Sequence, residues 1–131
     1  MREPKRPSRG VLVIEDDHEL RDALIAFIEG LELGLLPVGA ENGVEALAKL
    51  DEGPLPSLIV LDVMMPKMDG RAFRQRQLSD PRLRDIPVVV ITALPVTRDP
   101  EFKGVHWIPK PFRAAELTRI VHLLLGASEP S

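Results

Sequence analysis

Short apolar runs alternate with helical periodicities along this chain. VLVIE, residues 11–15, is a continuous run of the kind expected for a strand covered on both faces. From about Glu19 the residues Leu20, Leu24, Phe27, Ile28 and Leu31 recur at helical spacing. Asp17 is placed to cap the free N–H groups of that helix and Gly34 to end it. LLPVGA, residues 35–40, predicts a weaker strand, and NGVEALAKLDEG a second helix with Val44, Leu47 and Leu50 on one side. SLIVLD, residues 57–62, is a third strand, and GRAFRQRQLSD a helix with Phe73 and Leu78 turned inward. IPVVVITA, residues 86–93, is the most β-branched run and predicts a central strand. GVHWIPK, residues 104–110, predicts the last strand. AAELTRIVHLLLG predicts the last helix, with Leu117, Ile120, Val121 and Leu124 inward and Gly126 as its stop.

Five β-α repeats imply a parallel sheet with helices on both faces, a three-layer α/β sandwich. Proline cannot donate to a strand ladder and is tolerated mainly at edges. Pro37 therefore places the second strand, and Pro109 the fifth, at the two edges of the sheet. The first and third runs carry no proline, and the fourth has only Pro87 at its start, where a strand tolerates it, so these three are expected at the centre. That pattern fits the strand order 2-1-3-4-5 of the doubly wound, flavodoxin-like sheets, whose sites lie at the carboxyl ends of strands 1 and 3.

The chain has 131 residues, one domain by length, and 44% of them are hydrophobic, enough for a real core. A net charge of −3 gives no reason to expect direct nucleic-acid binding, and the absence of cysteine excludes disulfides and thiolate metal sites. It is also compatible with a cytoplasmic home. No apolar stretch is long enough for membrane insertion. The basic, proline-rich MREPKRPSRG lacks the apolar centre of a signal peptide, so residues 1–9 are expected to be a flexible lead-in. Residues 127–131 read as a loose tail or the start of a linker.

The strand ends carry the chemistry. Strand 1 ends in Glu15-Asp16-Asp17 and strand 3 in Asp62, and the two strands are expected to be neighbours. Carboxylates gathered in this way need positive charge between them. Lys110, at the end of strand 5, is one source; a hard divalent cation such as Mg²⁺, which takes oxygen ligands, is another. Thr92 ends strand 4 and offers a hydroxyl over the same place. The set suits phosphoryl transfer to Asp62. A carboxylate nucleophile needs no general base, and the help required is electrostatic. Asp17 is expected as a helix cap, Asp69-Gly70 as a turn, and Trp107 as either core or a mobile aromatic. His18, His106 and His122 are too scattered for a metal site.

At these residues the chain resembles the receiver domains of two-component response regulators, over about residues 10–126. The resemblance rests on VLVIEDD, LIVLDVMMPKMDG, VVVITA and WIPKPF, in that order. It implies Glu15 and Asp16 as the acidic pair for Mg²⁺, Asp16 being the better candidate for direct ligation. It implies Asp62 as phosphoacceptor and metal ligand, with the Met64 carbonyl completing the metal shell. Thr92 becomes the switch hydroxyl, Lys110 the phosphate-binding lysine, Trp107 the switch aromatic, and Lys110-Pro111 a cis bond. The implied partners are a sensor histidine kinase or phosphotransfer protein as donor, and a downstream effector or output domain outside this chain. A homodimer is a further possibility, and no enzymatic output is expected.

The sequence departs from that pattern between Thr92 and Lys110, 18 positions apart (110 − 92). Pro95 and Pro100 interrupt the stretch, and proline inside a helix costs about 3 kcal/mol. The helix expected there is shortened or absent, which leaves Leu123 and Leu125 of the last helix more open to a partner. Met64 and Leu94 flank the expected water path and are apolar, which predicts slow loss of the phosphoryl group. Two rivals remain. A haloacid-dehalogenase-type phosphatase would carry an aspartate where Met64 stands; a receiver-like scaffold would signal without phosphorylation.

Overall fold

Continuous apolar runs cannot face water on either side, and in the computed structural model they do not. The structure describes residues 9–63, 69–93 and 99–126. The expected flexible segments, residues 1–9 and 127–131, lie outside these apart from Arg9. Strands β1 (Gly10–Ile14), β3 (Leu58–Leu61) and β4 (Val88–Thr92) are buried along almost their whole length. With β2 (Leu36–Ala40) and β5 (His106–Pro109) they form one parallel sheet, in the order β2-β1-β3-β4-β5. The prolines lie on the edge strands, as the sequence predicts.

Successive side chains of a strand point to opposite faces, so each strand feeds two cores. Leu12, Ile14, Ile59, Leu61, Val88 and Val90 pack with Ala46 and Leu50 of α2 (Gly43–Glu52) and Phe73 of α3 (Gly70–Ser79). Val11, Val13, Leu58, Val60, Val89 and Ile91 pack on the other face with Leu24 and Ile28 of α1 (His18–Glu29). Leu117, Ile120 and Val121 of α4 (Ala114–Val121) complete that face, and α4 continues as a π-helical turn, His122–Gly126. Leu124 is partly buried against the same core, and Leu123 is exposed.

The β2 edge is protected against pairing. The Leu36 N–H and the Ala40 carbonyl point to β1, so Pro37 and Gly39 point outward. Proline has no N–H, and the Gly39 carbonyl accepts from Lys49 Nζ, so little of a ladder remains for another strand.

Three sequence expectations are corrected. Helix α1 ends at Glu29, with the Gly30 N–H closing on the Ala26 carbonyl, rather than at Gly34. Gly34, at φ +72°, belongs to the turn that follows, and Leu31 lies beyond the helix. Val44 is exposed: six residues span about 240° of helical rotation, so Val44 and Leu50 cannot share a face. Gly43, Ala46 and Leu50 are buried instead. Leu78 is also exposed, because it stands about 140° from Phe73, whereas Gln77 stands about 40° away. The buried face of α3 thus carries Phe73, Arg74 and Gln77. Between β4 and β5 the described residues hold one 3-10 turn, Pro100–Phe102, consistent with a shortened or missing helix. Pro95 lies outside the described residues.

Gln77 repairs the loop into β4. Its Nε2 donates to the Leu83 and Ile86 carbonyls at 2.9 and 3.0 Å, and its Oε1 accepts from Arg74 Nη1 at 2.7 Å. Gln77→Leu keeps the volume and strips partners from two carbonyls and a buried guanidinium. It is expected to lower stability by about 2–4 kcal/mol, read as a lower urea midpoint at unchanged m-value.

Candidate functional site

The carboxyl ends of β1, β3, β4 and β5 meet at one edge of the sheet. Ladder hydrogen bonds continue just past the strands and fix the residues there. The Glu15 N–H donates to the Ala40 carbonyl, Asp62 N–H to Ile14, and Lys110 N–H to Thr92, at 3.0, 3.0 and 3.1 Å. These bonds set the direction in which each side chain leaves the sheet. Glu15, Asp62 and Thr92 are buried, while Asp16 is exposed.

Three carboxylates converge. Oxygen atoms of Glu15, Asp16 and Asp62 lie within 4.8 Å of one another. Lys110 Nζ stands 3.1 Å from Glu15 Oε1 and 3.2 Å from Asp62 Oδ2, joining the two buried acids. Burial pushes the Glu15 carboxyl up to about 7, and the neighbouring Asp62 charge adds to this. The Asp17 N–H at 3.1 Å and Lys110 pull the other way. Burial by itself lowers the Lys110 ammonium, but the Asp62 and Glu15 carboxylates outweigh it and hold it above its ordinary value.

The donor set consists of oxygen atoms alone, the preference of a hard cation. With all three acids ionised, one lysine leaves a surplus of two negative charges (−3 + 1), which a divalent ion balances. The residues present therefore fit Mg²⁺. Met64, expected to lend its carbonyl, lies outside the described residues, as does Leu94.

The surrounding residues serve to position the site. Asp17 is the N-cap of α1, its carboxylate accepting from the Glu19 and Leu20 N–H groups, and it is not among the clustered acids. His18 faces Asp22 at 3.6 Å on the exposed side of α1 and is not part of the Glu15, Asp16 and Asp62 cluster. Asp69 caps α3 through the Ala72 N–H at 3.0 Å. Trp107 is half-buried against the α2–α3 core, and its indole N–H is buried with no acceptor among the described residues. The Lys110-Pro111 peptide is cis.

Two positioning contacts were missed in the sequence. Arg21 Nη1 donates to the Glu15 carbonyl at 2.8 Å, which steadies the acidic loop from α1. Gly70 opens α3 directly on the Asp62–Val63 backbone. A Cβ there would sit 2.6 Å from Val63 Cα and 2.8 Å from the Asp62 carbonyl oxygen, so only glycine fits. A glycine after an aspartate signals a turn, and nothing in the pattern shows that another backbone presses on it.

A family model described as response regulator receiver domain matches residues 11–122. Response regulator Rre1 of Synechocystis is 35% identical over 127 residues, covering 92% of this chain and 53% of that protein. The signal receiver domain of a histidine kinase from Syntrophus aciditrophicus superposes with a TM-score of 0.79 at 32% identity, covering 93% of each chain. Response regulator TrrA of Thermotoga maritima, solved in complex with Mg²⁺ and BeF, gives 0.75 at 29% identity, covering 88% of this chain and 98% of that one. The chain spans about half the length of the first curated relatives it matches.

A proton on Glu15 competes with a cation for the pocket. Below a pKa of about 7 Glu15 holds its proton, so Mg²⁺ affinity is expected to rise by about tenfold from pH 6 to pH 8. Glu15→Gln is expected to bind more weakly and to lose this step. Calorimetric titration of Mg²⁺ at both pH values checks it.

Proposed function

The chain belongs to the response regulator receiver domains of two-component signalling, and from that premise we propose that Asp62 is the residue that takes the phosphoryl group. The observation that carries the reading is the buried pairing of Asp62 with Lys110 at 3.2 Å, beside two further carboxylates.

The Asp62 carboxylate attacks the phosphorus of a phosphohistidine on a sensor histidine kinase or phosphotransfer protein. An O–P bond forms as the N–P bond breaks, and the imidazole leaves with the electron pair. Glu15, Asp16 and Asp62 would hold Mg²⁺, with the Met64 carbonyl as a further ligand; bound there, the ion offsets charge on the phosphoryl oxygens. Lys110 moves from carboxylate to phosphoryl oxygen with little displacement, since it already spans Glu15 and Asp62. Thr92, buried at the end of β4, supplies a hydroxyl to the same group, and Trp107 repacks with it. The unpartnered indole N–H supports that role, because an unmade buried hydrogen bond favours a second arrangement.

The receiver unit runs from residue 10 to residue 126, between the start of β1 and the end of the π-helical turn. Receiver domains are generally signalling modules rather than enzymes, so the output here passes through protein contacts: an effector, an output domain outside residues 10–126, or a second copy. Among the described residues no helix is long and apolar enough to cross a membrane, and a cytoplasmic location suits a kinase-fed receiver.

Intact mass after incubation with acetyl phosphate and Mg²⁺ tests the assignment. One phosphoryl group is expected on the native chain and none on Asp62→Asn. No gain, with beryllofluoride also failing to bind, would favour a scaffold that signals without phosphorylation. A second measurement follows the label over time. With apolar Met64 and Leu94 two positions after Asp62 and Thr92, self-hydrolysis is expected to be slow, and a half-life of seconds would refute this.

A further inference from the structure

A polar cavity of about 280 Å³ opens between the loops that lead into β4 and β5, at the end of the sheet away from Asp62. Strand β4 separates it from Thr92 by about 13 Å, so it is not part of the carboxylate site. Arg74, Arg84, Lys103, His106 and Asp85 are among its lining residues.

Arg74 is the unusual member. It is 9% exposed, and it has no carboxylate partner among the described residues. Its Nε donates to the Glu101 carbonyl at 2.8 Å and its Nη1 to Gln77 Oε1 at 2.7 Å, both neutral acceptors. A guanidinium carries five N–H donors. Three of them (5 − 2) have no protein acceptor among the described residues. A buried charge without a counter-charge is costly, and a charge is normally buried with a partner. The Glu101 carboxylate does not serve: it accepts from Gln75 Nε2 at 2.9 Å and makes no ion pair with Arg74.

The mouth adds to the imbalance. Arg84 and Lys103 are exposed there, and neither ion-pairs with an acid among the described residues. Three fixed cations against Asp85 leave a formal local charge of +2 (3 − 1), in a chain whose net charge on the same count, histidines left out, is −3. Local and overall charge thus have opposite sign. The cavity is at the small end for ligand pockets, which suits a compact anion.

We propose that this cavity binds a small doubly charged oxyanion of the phosphate class, either free phosphate or a compact phosphomonoester. The free edge of the Arg74 guanidinium faces the anion, and Arg84 and Lys103 close over it. Arginine presents a planar fork to oxyanions, and its charge-assisted hydrogen bonds are the strong ones. Bound there, the anion would also hold α3 to the 3-10 turn, because Arg74 already joins them.

The test is a ¹H–¹⁵N NMR titration of the full chain without Mg²⁺, at constant ionic strength held with chloride. Orthophosphate and glycerol 3-phosphate are the probes. Saturable shifts are expected at the backbone amides of Lys103, Gly104 and Val105 and at the Arg74 Nε–H, and the tighter probe identifies the source. The exposed pair Arg84→Glu with Lys103→Glu should weaken binding by about tenfold or more, with shifts elsewhere unchanged. Arg74→Lys, which keeps the charge and loses the fork, should weaken it as well. Shifts that do not saturate, that chloride reproduces, that gather around Asp62 and Lys110, or that persist at equal affinity in the double variant would overturn the proposal.

Discussion

Lys110 lies between two carboxylates that burial would otherwise set against each other, and the rest of the site depends on that contact. Strands in a sheet are about 4.8 Å apart, so β5 stands about 10 Å from β3 and about 14 Å from β1. Asp62 follows β3 and Glu15 follows β1, yet one ammonium lies within 3.2 Å of both. A long side chain at the end of β5 has to cross above β4 to do this, and β4 ends there in Thr92, with the small Ala93 next. The strand order is therefore a chemical requirement as well as a packing solution. It places two acid-bearing strands side by side and the lysine-bearing strand beyond them, with β4 in between.

That requirement explains why so much was legible in the sequence. Two prolines mark the edge strands, three uninterrupted apolar runs mark the centre, and acids stand at the ends of two of those runs. Strand positions depend on runs of residues and on proline chemistry, both of which are local. Helix faces are less local. Val44 and Leu78 are hydrophobic residues near an apolar stripe, yet rotation about the helix axis carries each out of it, and the vacated core positions go to Ala46 and Gln77. A polar residue such as Gln77 enters the core only because two carbonyls and a guanidinium await it, and those belong to other segments of the chain. The same holds for Gly70 and Arg21, whose roles are contacts with backbone distant in sequence.

The connection from β4 to β5 shows how a shortened segment is kept in place. Arg71 pairs with Asp99 at 2.9 Å, Arg74 Nε donates to the Glu101 carbonyl, and Gln75 Nε2 donates to the Glu101 carboxylate. Three residues from two adjacent turns of α3 thus hold the 3-10 turn, while Phe102 fills the core beneath it. A partly exposed ion pair of this kind contributes about 1 kcal/mol or less, so the buried Arg74 and Phe102 carry more of the attachment. At its other end α3 begins at Gly70, pressed on the Asp62–Val63 backbone with no room for a Cβ. A change in the Asp62 loop therefore meets α3 directly, and α3 meets the β4–β5 connection through Arg71, Arg74 and Gln75. Through these contacts α3 joins the backbone at the carboxylate edge to the connection between β4 and β5.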